Sequence, residues 1–178
     1  MIRRILDALY LGCGWLAALA LGGICVLMLS QAILREFGVL IRGADDLTAW
    51  FCAASAFLAL AHTFKSGDLV RVGLLLERLD ERVRRYFEIF SLSIAGVFVA
   101  YMTWAVGGYV YESWQMNELA QGLIKAPLWI PQMSFLVGAA ALLIAIVDEL
   151  IIVLRGRKPT YRIAEEERLA RGDYSESV

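Results

Sequence analysis

Side chains able to do acid–base, metal or nucleophilic chemistry are few in this chain, and they do not cluster. Its 178 residues include one histidine, His62, and three cysteines, Cys13, Cys25 and Cys52. The cysteines form no C-x-x-C pair and are odd in number, so they read as small buried hydrophobes, not as a disulfide framework. A b-type haem held between helices needs two axial ligands, and only one histidine is available. No cysteine or carboxylate stands around His62 at ligand spacing. It lies near the end of an apolar run, where an imidazole can hydrogen-bond the last carbonyls of a helix. No Ser-His-Asp arrangement, P-loop or dinucleotide fingerprint occurs. The sequence supports no enzymatic activity and implies no cofactor.

Two acidic pairs remain. Asp45 and Asp46 stand one turn or less before an apolar run, where carboxylates cap a helix and favour its positive dipole end. Arg35 and Arg42 are near enough in sequence to pair with them. Asp148 and Glu149 lie inside the last apolar run, about two turns before Arg155 on a rise of ~1.5 Å per residue. Ionisable groups within a span are functional candidates, because exposing them to lipid costs a few kcal/mol or more. A proton or sodium relay is one reading; pairing with a basic residue of a neighbouring helix or partner subunit is the favoured one. The central stretch of every apolar run lacks any carboxylate or basic residue, which argues against ion movement by this chain alone.

The elements that position these residues are membrane spans. Hydrophobic residues make up 60% of the chain and charged residues 20%, with mean hydropathy +0.63. Soluble domains average about 45–50% and about 25%. The excess falls in four runs, about 9–34, 47–64, 89–111 and 128–154, each near the ~20 residues that a crossing needs. The first is far longer than the 7–15 residues of a signal-peptide core, so a retained span is expected. Trp104, Tyr109, Tyr111 and Trp114 mark the far end of the third run, and Trp129 the start of the fourth, as an interfacial aromatic belt does. Pro127 and Pro131 suit a helix's first turn. Of the 17 Lys and Arg residues, all but Arg35, Arg42 and Lys125 fall on one side of the resulting topology. The positive-inside rule then places both termini in the cytoplasm. With a net charge of −1, nothing points to nucleic acid.

Between the second and third runs, residues 69–87 form an amphipathic pattern. Val72, Leu75, Leu76, Leu79, Val83 and Tyr86 share one helical stripe, opposite a charged face rich in arginine. This predicts an interfacial helix lying along the membrane surface. The expected architecture is all-α: a four-helix membrane domain over 9–155, a short N-terminus (1–8) and a polar tail (156–178). Small residues recur at intervals of four in the first run (Gly14, Ala18, Gly22) and the third (Gly96, Ala100), a spacing that lets helices approach closely in lipid. With Asp148 and Glu149 they are the candidates for a partner interface. The alanine-rich second run is expected inside the bundle. Arg35, Arg42, Glu112, Glu118 and Lys125, on the outward loops, are candidates for docking a soluble partner.

Several segments together resemble one family. These are Leu34-Arg35-Glu36-Phe37-Gly38, closing the first run, and Ala44-Asp45-Asp46-Leu47-Thr48-Ala49-Trp50, opening the second. Gly67-Asp68-Leu69-Val70-Arg71-Val72 follows the second, and Pro127-Leu128-Trp129-Ile130-Pro131 opens the fourth. In order and spacing they resemble the small, DctQ-like membrane subunit of tripartite ATP-independent periplasmic (TRAP) transporters, with Arg35, Gly38, Asp46, Gly67, Arg71, Pro127 and Trp129 at motif positions. Leu69 departs from the pattern, which commonly has histidine there, so no role of that histidine carries over. The resemblance implies a heterodimer with a large membrane subunit that holds the sodium and substrate sites. It also implies a periplasmic binding protein that delivers an organic acid. The small subunit would anchor its partner in the inner membrane and help dock the binding protein. The alternatives fit less well: a self-sufficient small transporter wants a buried mid-span carboxylate, and a membrane redox enzyme wants paired cysteines or more histidines.

Overall fold

The computed structural model describes the backbone of residues 2–66 and 81–156, and side-chain surroundings within 6–65 and 83–156. Residues 69–80 of the expected amphipathic segment, the motif positions Gly67 and Arg71, and the tail from 157 lie outside the described residues.

Four helices account for almost everything described: α1 (Ile2–Glu36), α2 (Ala44–Ser66), α3 (Glu81–Gln115) and α4 (Trp129–Leu154). Each is long and apolar enough to cross a membrane. They run up and down, so that the start of α1, the end of α2, the start of α3 and the end of α4 share one end, here called basal. The other end is apical.

α1 and α3 are longer than the expected spans, at 35 residues each. That is about 52 Å at 1.5 Å per residue, against about 30 Å of hydrocarbon. The intrahelical hydrogen-bond ladder does not stop where the apolar sequence does. Glu81–Phe87, expected as the end of a surface helix, form the first two turns of α3. Their polarity is inside out for a soluble helix. Val83, Tyr86 and Phe87 are exposed, while Glu88 is buried and ion-paired with Arg84 at 3.5 Å.

Packing runs in the order α1–α2–α4–α3, with α1 touching α4 only slightly. α4 is the central helix: 44% of its most apolar window is buried, against 11% in α1 and in α3. Small residues make this possible. Gly138, Ala139, Ala141 and Ala145 are buried along α4. At Gly138 the α2 backbone comes so close that an added Cβ would stand 2.5 Å from the Phe57 carbonyl oxygen. In lipid, where apolar burial gives little drive, such close contact is the main source of helix association. From α1, the buried stripe against α2 is Tyr10, Cys13, Ala17 and Ala20.

Two expectations about burial need correction. Cys13 is buried, but Cys25 and Cys52 are exposed. In α2, Ala54 and Ala61 face the core, whereas Ala49, Ala53 and Ala56 are exposed. An apolar side chain facing lipid gains little from moving inward, so composition alone does not choose its face.

The apical helix ends close locally. Beyond α1, Val39 N–H donates to Leu34 O (2.9 Å) and Gly38 N–H to Arg35 O (3.0 Å). With Gly38 at φ +73°, this is a Schellman closure, which explains glycine at that motif position. α3 ends in the same way, with Asn117 at φ 49° in the left-handed position.

Candidate functional site

At the basal end, charged and aromatic groups from two other helices, α1 and α4, converge on Lys65, the penultimate residue of α2. Its ammonium group donates to Asp148 Oδ2 of α4 at 2.9 Å, stands 3.9 Å from Asp7 Oδ1 of α1, and lies 4.7 Å from the centre of the Tyr10 ring. Lys65 and Asp148 side chains are only 14% and 20% exposed, so this pair is better shielded than a surface salt bridge. Asp148, one of the partner-interface candidates, is thus engaged within the chain. Its neighbour Glu149 is wholly buried in α4. From α3, Arg85 Nη2 donates to Leu154 O at 3.0 Å, a cation placed on the last carbonyls of α4 where the dipole favours it. All four helices are therefore tied together at this end by charged side chains.

The small-residue rows divide between inside and outside. A Cβ on Gly14 would meet the His62 ring at 3.2 Å, so Gly14 is where α1 makes room for α2's histidine. Gly96 faces Ile146 of α4, with 3.6 Å to an added Cβ. Ala18, Gly22 and Ala100 are exposed, and Gly22 has open space before it. Their surroundings are free for another helix. Gly138, which makes the tightest approach between two helix backbones among the described residues, escaped the sequence reading; its signal was the run Val137-Gly138-Ala139-Ala140-Ala141 in the most apolar helix.

The apical end corrects the reading of the first acidic pair. Asp45 and Asp46 lie inside the first turn of α2, not before it. Asp45 accepts a hydrogen bond from Gln31 at 3.4 Å. Asp46 reaches across to the α3–α4 connection, where its Oδ2 accepts from Leu123 N–H (2.7 Å) and Ile124 N–H (3.3 Å). Neither forms an ion pair with Arg35 or Arg42 among the described residues. The carboxylate goes instead to two backbone donors that no helix or strand would satisfy. Gly122 leaves it the space, since a Cβ there would fall on the carboxylate. Ile124 in turn packs on Gly43. The connection is further ordered by a bridge between Leu119 and Pro127 and by the Ser113 hydroxyl, which donates to Glu118 Oε2 at 3.2 Å. Arg35, Arg42, Glu112, Glu118 and Lys125 are all exposed at this end. Pro127 and Trp129 stand at the start of α4, whose first turn has no side-chain cap; Ile130 N–H donates to Pro127 O at 3.2 Å and Pro131 has no N–H to satisfy. Among the described residues no group of three or more His, Cys, Asp or Glu could hold a metal ion.

Four long apolar helices joined by charged contacts at one end and a braced loop at the other define a multi-pass membrane protein. Residues 24–156 match the DctQ component of the tripartite ATP-independent periplasmic transporters, which is well over half of the chain. The chain belongs to that family and is a small membrane component of a TRAP transporter. No curated protein matches it.

Proposed function

We propose that this chain is the scaffold subunit of a sodium-coupled organic-acid uptake system in a bacterial inner membrane. It pairs with a large membrane subunit, in a lipid bilayer, and helps receive a periplasmic binding protein that delivers the solute. The positive-inside bias supports placing the basal end in the cytoplasm and the apical end in the periplasm. The observation that carries the reading is the distribution of burial. Among the described residues Lys65, Asp148 and Arg85 are engaged within the chain at the basal end, while α1 and α3 keep broad apolar faces with Ala18, Gly22 and Ala100 open to another helix. Such faces suit a membrane partner better than a solute.

A pull-down from native membranes through a tag on the C-terminal tail tests this, with mass spectrometry of what is recovered. A multi-span TRAP subunit at equal stoichiometry is expected. Recovery of the chain alone or as a homo-oligomer removes the scaffold reading and favours a self-sufficient transporter. Ala18→Leu with Gly22→Leu should lower that recovery, and unchanged recovery excludes this face. For docking, Arg35→Glu with Glu112→Lys should weaken association of the binding protein and alter its salt dependence.

A further inference from the structure

The α3–α4 connection is held more firmly than a linker between two spans requires. Two backbone amides converge on the single acceptor Asp46 Oδ2, and Gly122 is shaped to admit it. The same loop is cross-linked by Ala120 N–H to Ala126 O and Leu128 N–H to Glu118 O, both 2.9 Å. Yet what this order presents is apolar: Leu123, one residue past Gly122, is 74% exposed. Lys125 stands beside it, and Arg42 precedes Gly43, on which Ile124 packs. Ordering a loop costs backbone conformational entropy at every residue. A loop ordered in advance around an exposed apolar tip with a charged rim spares that cost at the moment of binding. Apolar centre and charged rim are also the anatomy of a non-obligate protein interface.

We propose that residues 118–128 are the element of this subunit that contacts the soluble binding protein. Leu123 is the apolar anchor, Lys125 and Arg42 are the rim, and Asp46 is the positioning residue that holds the loop. The proposal rests on the docking reading above. The occupant is a soluble protein and not lipid, because the exposed charges around the tip are of both signs, Glu118 with Lys125 on the loop and Arg42 on the neighbouring connection, whereas an anionic lipid surface favours basic residues alone.

The test uses the assembled complex in nanodiscs of phosphatidylethanolamine and phosphatidylglycerol, with the binding protein titrated in solution. Asp46→Ala should raise hydrogen exchange at the Leu123 and Ile124 amides roughly tenfold or more, since charge-assisted bonds are the stronger class. It should also weaken binding-protein affinity roughly tenfold, the scale of an interface anchor. Leu123→Ser should weaken affinity to a similar extent with exchange unchanged, and the double variant should be little worse than either. Leu123 has no packing role, so this arm holds even if Asp46→Ala fails to assemble. If both variants leave affinity unchanged while Arg35→Glu with Glu112→Lys lowers it, docking stands and this loop is not its contact. If none of them lowers it, the docking reading itself fails. Quenching of a fluorophore at residue 123 by brominated lipid would assign the tip to the membrane and overturn the proposal.

Discussion

Replacing Gly138 by alanine should be the most informative change in the transmembrane region, because two effects of known sign oppose each other there. Alanine in a helix interior is favoured over glycine by about 0.5–1 kcal/mol. Against this, the new Cβ would stand 2.5 Å from the Phe57 carbonyl oxygen and 2.6 Å from its carbon. Those are backbone atoms within α2, so no side chain can swing aside, and the two helices must separate. Overpacking costs typically about 1–3 kcal/mol, and a backbone neighbour puts this site at the upper end. The net expectation is a loss of about 2 kcal/mol, a roughly thirtyfold fall in the folded-to-unfolded ratio. Two internal controls make the figure testable. Gly96→Ala places its Cβ 3.6 Å from Ile146, an ordinary contact, and Gly22→Ala meets nothing within 4 Å. Both should be neutral or stabilising by up to about 1 kcal/mol. Reversible unfolding of the three variants in mixed detergent micelles measures the differences directly. If Gly138→Ala proves as stable as Gly96→Ala, the α2–α4 seam is not held by this approach and the account of α4 as the central helix is wrong.

Other perturbations report on the two ends. Lys65→Met leaves the largely shielded Asp148 without its cation and should cost about 3 kcal/mol, whereas adding Asp148→Leu should recover most of it; equal stability of single and double variants in the same unfolding assay would refute the pairing. Arg85→Ala removes the donor to Leu154 O and should fray the last turn of α4, seen as faster hydrogen exchange near residues 153–156, at a cost of about 1 kcal/mol; unchanged exchange would contradict the cap. Gly14→Leu would drive the His62 ring from its place and should destabilise α1 against α2, while Ala18→Leu should leave the isolated chain's stability within about 0.5 kcal/mol.

What the sequence disclosed and what it hid follow from the range of the interactions involved. The four spans were legible because length and apolar composition are local properties, and lipid accepts little else. Helix limits were not, since α1 and α3 continue their hydrogen-bond ladders through charged residues such as Glu81 and Glu112. Asp46 illustrates the harder case. Its place at the start of α2 was evident, and capping was the local reading, but its carboxylate is used by amides 77 and 78 residues away. Lys65 and Asp148 are likewise 83 residues apart. The small-residue rows were found by spacing alone, which cannot tell a helix face turned toward its own bundle, as at Gly14 and Gly96, from one turned outward, as at Gly22.

The placement of charge along the bundle bears on how the proposed scaffold can be both firm and receptive. Within the apolar zone the helices are joined by close approach of small residues, an interaction without long reach and without strong preference for one register. Charged contacts supply what that packing lacks. Lys65 joins α2 to α1 and α4, Arg85 joins α3 to α4, and Asp46 joins α2 to the connection between α3 and α4. Each crosses between segments that are distant in sequence, and each lies at an end, near enough to water that desolvation stays tolerable. A one-turn slip of α2 along α4 would break the Lys65 contacts and strand the Asp46 carboxylate together, at opposite ends of the same helix. Register is therefore fixed from both ends at once. That leaves the outer faces of α1 and α3 carrying no part of the chain's own register, and available to pack against a partner.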